Sequence, residues 1–268
     1  MLLNFLNYEF IQRAYLAGSF IAVLCAMLGI FLVLRKLSLI GDGLSHVSFG
    51  AIALGLFFGI YPFYVAVPVV VLASYFILKL TEKARIYGDA AIGIVSSVGI
   101  AGGVILASLS RGFNVDLFSY LFGNILAISI QEVYLSIALS VSALFTIIFL
   151  YNDLFSATFD EDYAKVSGIK TERINLILIF LTAITVVLAI KVVGIMLVSA
   201  LLILPAVAAL QVAKSFKAAM IVAVAISVFS VLAGVTISFY YDLPAGAAIV
   251  MVNFILFLFL FFLRKIKS

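Results

Sequence analysis

Apolar runs of about 20 residues recur along the whole chain, separated by short clusters of charged or small residues. Nine can be marked, at 14–34, 43–60, 61–80, 90–109, 130–150, 174–190, 192–212, 218–241 and 243–263. A helix needs roughly 20 such residues to cross a hydrocarbon core of about 30 Å. Barrel strands would be about 10 residues long and would alternate in polarity. Helices also satisfy every backbone group internally, as lipid requires. The pattern predicts an all-α, polytopic membrane protein with about nine transmembrane helices, or eight if one weak segment fails to cross. The weakest stretch is 110–130. Its segment Phe118-Ser119-Tyr120-Leu121-Phe122-Gly123-Asn124-Ile125-Leu126 is too short to span, and is expected as a re-entrant or interfacial helix.

Composition agrees. Of the 268 residues, 66% are hydrophobic and 10% charged, and mean hydropathy is +1.36. A soluble domain is about 45–50% apolar and about 25% charged, so soluble enzymes and nucleic-acid-binding domains are excluded. No soluble domain or linker interrupts the chain, and residues 1–268 read as one membrane domain. The opening run is too long for a signal peptide and lacks a small-residue cleavage site. With Trp absent, Tyr and Phe must supply any interfacial belt. Cys25, the single cysteine, is expected to be buried and inert.

The net charge of +4 reflects sidedness rather than a nucleic-acid partner. Alternating the spans puts Arg35 and Lys36, then Lys79, Lys83 and Arg85, then Lys165, Lys170 and Arg173, then Lys214 and Lys217, then Arg264, Lys265 and Lys267 on one side. Only Arg13, Arg111 and Lys191 of the 16 basic residues fall on the other. By the positive-inside rule the N-terminus is outside and the C-terminus cytoplasmic. Lys191 is expected to snorkel to the outer edge.

An ionisable residue within a span costs roughly 2.5–3.5 kcal/mol on insertion scales, which makes it a functional candidate. Gly41-Asp42-Gly43-Leu44-Ser45-His46 opens the second run and holds the only histidine. Asp42 and His46, four apart, share a helix face about 6 Å apart along the axis. A carboxylate and a neutral imidazole so placed can share one divalent cation. The residues leave a second reading open, in which Asp42 caps the helix and His46 bonds a neighbouring carbonyl. A lone pair is half a coordination shell, so the metal reading requires a two-fold dimer. Gly50 continues the stripe, and Ala51, Gly55 and Gly59 allow close helix approach.

The polar stretch 152–173 is the longest. In it Asp160 can cap a short helix that Gly168 stops, with Phe159, Tyr163 and Val166 on one side. Such a helix can dock a partner or lie on the bilayer. Asp89 reads as an N-cap, Pro205 as a kink, and Gly99, Gly102 and Gly103 as packing contacts. No G-x-x-x-x-G-K-[ST] loop occurs, so ATP is not hydrolysed here by that route. A gradient-driven transporter complete in one chain would need several intramembrane polar groups, of which only Asp42 is a good candidate. A non-transporting scaffold also stays open.

Leu39-Ile40-Gly41-Asp42-Gly43-Leu44-Ser45-His46 resembles the signature of the zinc/manganese/iron permease family of ABC transporters. Gly88-Asp89-Ala90-Ala91-Ile92-Gly93-Ile94, Tyr120 to Leu126, Asp160 to Gly168, and Val193 to Pro205 agree with it, in family order and over nearly the whole chain. The resemblance implies the type II ABC importer permease fold, in a prokaryotic plasma membrane. It implies a homodimer joined to two cytoplasmic ABC ATPase subunits, and an extracytoplasmic metal-binding protein that delivers Zn²⁺, Mn²⁺ or Fe²⁺. The metal is cargo, with no permanently bound cofactor. The family's metal site falls on Asp42 and His46. Its coupling helix falls on the loop at 152–173, with Phe159, Asp160, Tyr163, Ala164 and Gly168 facing the ATPase. One tension is that Asp42 lies close to Lys36, near the inner membrane edge, whereas a transport site belongs deeper.

Overall fold

In a computed structural model, residues 7–82, 87–109 and 120–267 are described. Lys83, Arg85, Arg111 and Phe118-Ser119 lie outside them. The helices are α1 (Glu9–Leu34), α2 (Ile40–Phe57), α3 (Pro62–Glu82), α4 (Gly88–Leu109), α5 (Ile130–Phe149), α6 (Tyr151–Phe159), α7 (Glu161–Val166), α8 (Thr171–Val193), α9 (Val198–Val212), α10 (Phe216–Tyr241) and α11 (Ala245–Lys267). Among the described residues nine segments are long and apolar enough to cross a membrane. These are α1 to α5, α8, α9 with its preceding 3₁₀ turn Ile195–Leu197, α10 and α11. The nine-span, all-α reading holds.

Burial divides the helices into a centre and a rim. About two thirds or more of the most apolar stretch of α1, α2 and α8 is buried (67%, 67% and 72%), against 22% for α4 and α11. Lipid offers no hydrophobic drive between helices, so association rests on close packing. The α2–α4 crossing shows how. A Cβ on Gly50 would stand 2.5 Å from the Gly99 carbonyl oxygen, and one on Gly99 would stand 2.7 Å from Val47 Cα. The two backbones touch. Gly99 and Gly103 are packing contacts as expected, whereas Gly102 faces open space. Cys25 is buried and unpaired by any disulfide.

The α8–α9 boundary differs from the sequence expectation. Helix α8 runs through Lys191 to Val193, and the chain breaks at Gly194, with φ +81°. Gly123, with φ +74°, meets it there, and a Cβ on Gly123 would lie 2.5 Å from Gly194 N. Glycine is required because the backbone is left-handed and a second backbone fills the side-chain space. Among the described residues around Gly123, 120–122 are helical and Ile125–Ala127 form a 3₁₀ turn, with Ile125 fully buried.

Contacts tie each end of the bundle together. At one end Arg35 bonds Thr158 and Asn175, Arg264 bonds Gln211, and Phe155, Phe159 and Phe216 form a ring cluster. At the other, Lys191 pairs with Glu132, and Tyr15 bonds Thr236.

Candidate metal site and coupling segment

The site begins with the turn that starts α2. Arg35 closes α1, Lys36 takes φ +58°, Lys36 N donates to Val33 O (3.1 Å), and Leu37 N donates to Leu32 O (2.8 Å). This double bond pattern is a Schellman stop with lysine where glycine is usual. Ile40 N then donates to Leu37 O, and Gly43 N to Leu39 O, so α2 begins three residues earlier than expected. Leu39 is the N-cap, and no side chain caps the helix. Asp42 sits in the first turn and is free of capping duty, so the reading of Asp42 as a cap fails.

Asp42 and His46 come together as the spacing requires. Asp42 Oδ2 lies 3.5 Å from His46 Nε2, and the side chains are 49% and 30% exposed. Two ligands at about 2.1 Å from a tetrahedral ion stand about 3.4 Å apart, so the pair has the bite of a shared divalent cation. The neighbours point elsewhere. Ser45 Oγ donates to the Asp42 carbonyl (2.7 Å), and Ser48 Oγ to Leu44 O (2.9 Å). Asp42, His46, Gly50 and Leu54 form a stripe along α2 that the chain leaves partly uncovered. Among the described residues no group of three His, Cys, Asp or Glu could hold a metal.

Ser199, in the first turn of α9, donates to Asp42 Oδ1 at 3.5 Å. Sequence reasoning passed over it; its presence in the Val193–Pro205 stretch was the available signal. Pro205 is buried within α9.

The polar stretch forms two short helices. Asp160 Oδ1 accepts from Tyr163 N at 2.9 Å and caps α7. Gly168, at φ +88°, ends it, with Ile169 N donating to Ala164 O. Phe159, Tyr163 and Val166 are 59%, 67% and 89% exposed, an apolar surface at the tip of the bundle. Ala164 is fully buried. It lies on the side of α7 that packs against the bundle, so it anchors the helix and, contrary to expectation, does not face a partner. Lys165 bonds Glu161 at 3.1 Å, which holds its ammonium above the ordinary lysine range.

Two expectations are corrected. Tyr87 O accepts the first helical bond of α4, from Ala91 N, so Asp89 lies inside the helix and is no cap. Lys191 does not snorkel. Its Nζ lies 2.6 Å from Glu132 Oε1 and 4.5 Å from the Tyr120 ring centre, because a buried carboxylate is at hand. Tyr61 OH also donates to Glu132 Oε1, and Glu132 closes a capping box with Ser129. The Ser129–Glu132 spacing was the visible sign of that cluster.

The model of the family described as "ABC 3 transport family" matches residues 7–264. The manganese transport system membrane protein MntC of Halalkalibacterium halodurans is 33% identical over 96% of this chain and 88% of its own length. The high-affinity zinc uptake system membrane protein ZnuB of Haemophilus influenzae is 32% identical over 96% of this chain and 99% of its own. The solved structure of PsaBC from Streptococcus pneumoniae in complex with Fab contains a chain 30% identical to this one. The two superpose with a TM-score of 0.89, covering 100% of this chain and 99% of that one.

Proposed function

The chain belongs to the ABC 3 transport family, and from that premise we propose that it is the permease of an ATP-driven importer for Zn²⁺, Mn²⁺ or Fe²⁺. Two copies face each other across a two-fold axis. Asp42 and His46 of both complete the coordination that one chain leaves half made. Nitrogen and oxygen ligands suit these three ions, and scarce sulfur disfavours Cu⁺. The carboxylates offset the ion's charge in a low-dielectric passage, where an unpaired cation is very costly.

The observation that carries this reading is the Asp42–His46 pair, 3.5 Å apart, with both side chains left partly exposed by their own chain. Two ATPase subunits in the cytoplasm seat against α6–α7, where Phe159 and Tyr163 stand exposed beside the Asp160 cap and the Gly168 stop. An extracytoplasmic binding protein delivers the metal at the opposite end, in the plasma membrane. The N-terminus is then outside and the C-terminus cytoplasmic. ATP binding and hydrolysis in the partner drive alternating access. Membership of an ABC family does not favour a gradient-driven transporter complete in one chain.

The test is ATP-dependent uptake of radioactive Zn²⁺ and Mn²⁺ by the complex in liposomes. Asp42→Ala and His46→Ala abolish uptake while leaving insertion and assembly intact. Normal uptake by both variants overturns the assignment.

A further inference from the structure

Arg35 counts in the sequence only as one more basic residue beside a span, yet the fold bonds two of its three arms to two different helices. Its Nε donates to Thr158 Oγ1 on α6 at 3.0 Å, and its Nη1 donates to Asn175 Oδ1 on α8 at 2.5 Å. The Thr158 hydroxyl donates to Leu154 O (2.6 Å), which turns its lone pair toward the guanidinium. The third arm, Nη2, is buried and has no partner. Burial lowers the basicity of the group, and the charge of Glu161 at the start of α7 opposes that effect.

These bonds run beside a cavity. A space of about 610 Å³ lies among the α1–α2 turn, α3, α6–α7 and α8, and Arg35, Thr158, Glu161 and Asn175 all line it. Packing along this seam is therefore incomplete, and polar side chains tie its walls. A basic residue kept only for membrane sidedness or for lipid headgroups would stay exposed rather than bury a donor unpaired. The guanidinium is a rigid planar fork, suited to holding two elements at a fixed distance and angle. On the other side of Arg35 the turn is locked by the bonds from Lys36, Leu37 and Ile40. Arg35 and the first turn of α2, which carries Asp42, are thus one body.

We propose that Arg35 is the positioning residue that carries movement of α6–α7 to α2 and its metal pair. The proposal rests on the importer reading above. A shift of α6 pulls Thr158, and through the fork it rotates the α1–α2 turn relative to α8. Glu161, now bonded to Lys165, is the acid on this seam that can meet the free Nη2 when α7 shifts. The chain of contacts is contiguous, as transmission between two distant sites requires if it runs through packed groups.

The test uses the complete complex with its ATPase and binding protein in liposomes, supplied with Zn²⁺ or Mn²⁺, whichever the wild type imports. The quantity read is ATP hydrolysed per metal ion imported, alongside Zn²⁺ affinity of the permease and recovery of the complex. Arg35→Ala raises that ratio by roughly tenfold or more, within the range of ordinary coupling, with metal affinity unchanged. Arg35→Lys keeps the charge, loses the fork, and falls between. Thr158→Val and Asn175→Leu each cut one arm and raise the ratio without touching Arg35. A wild-type ratio in Arg35→Ala overturns the proposal, as does uptake that falls only in proportion to recovered complex. If Arg35→Ala does not insert, wild-type ratios in both Thr158→Val and Asn175→Leu overturn it. A wild-type complex that imports neither metal overturns the importer reading instead.

Discussion

Lys191 Nζ stands 2.6 Å from Glu132 Oε1, joining the last turn of α8 to the first turn of α5 through side chains only 20% and 11% exposed. Removing one partner strands the other's charge where water is scarce, which costs about 3–5 kcal/mol. Replacing both removes the stranded charge along with the attraction. Glu132→Gln and Lys191→Met should each lower the thermal unfolding temperature in detergent by a large step. The double variant should recover much of the loss. Additive losses would show that the pair holds nothing jointly.

The α2–α4 crossing allows a matched comparison. Alanine at position 99 drives a Cβ to 2.7 Å from Val47 Cα, which is backbone and cannot swing aside. Alanine at 102 meets nothing within 4 Å. Gly99→Ala is therefore expected to destabilise by about 1–3 kcal/mol, as overpacking does. Gly102→Ala should be neutral or slightly stabilising, since alanine favours helix over glycine. Thermal unfolding of both in the same detergent checks the contrast; equal shifts would mean the backbones separate without penalty.

Much of this architecture was legible from periodicity alone, because lipid enforces helix length and internal hydrogen bonding. The Asp42–His46 spacing, the Asp160 cap and the Gly168 stop were legible for the same local reason. What escaped was set by tertiary contact. The partnering of Lys191 depends on Glu132, distant in sequence, and nothing near Lys191 in the chain announces it. Arg35 looked like any cytoplasmic cation until Thr158 and Asn175 came beside it. Ala164 seemed a docking residue because the motif includes it, but a six-residue helix must bury one face to stay attached.

Ser199 and Ser45 both touch Asp42, by different atoms. Ser199 Oγ donates to the carboxylate at 3.5 Å, and Ser45 Oγ to the main-chain carbonyl at 2.7 Å. Only the first orients the group that would hold a metal. Losing an outer-shell partner of a metal ligand typically costs 10–100-fold in affinity. Because the Ser199 contact is long, Ser199→Ala should weaken Zn²⁺ or Mn²⁺ binding by roughly tenfold, at the low end of that range. Ser45→Ala should leave affinity unchanged. Titration calorimetry on the purified permease separates the two, and equal affinities would remove Ser199 from the site.

The α6–α7 tip supplies the sharpest separation of docking from folding. Tyr163 is 67% exposed, while Ala164 beside it is fully buried. If the tip seats in an ATPase, an aromatic side chain entering a pocket there should behave as an interface anchor. Tyr163→Asp should then weaken ATPase binding by roughly thirtyfold or more, the equivalent of about 2 kcal/mol. Permease stability should not change, because the ring contributes nothing to the core. Ala164→Leu should do the reverse, lowering thermal stability through overpacking before it affects the interface. Co-purification with the ATPase and thermal unfolding, measured on both variants, give a two-by-two result. If Tyr163→Asp retains the ATPase at wild-type affinity, the exposed face of α7 serves the bilayer surface and not a partner.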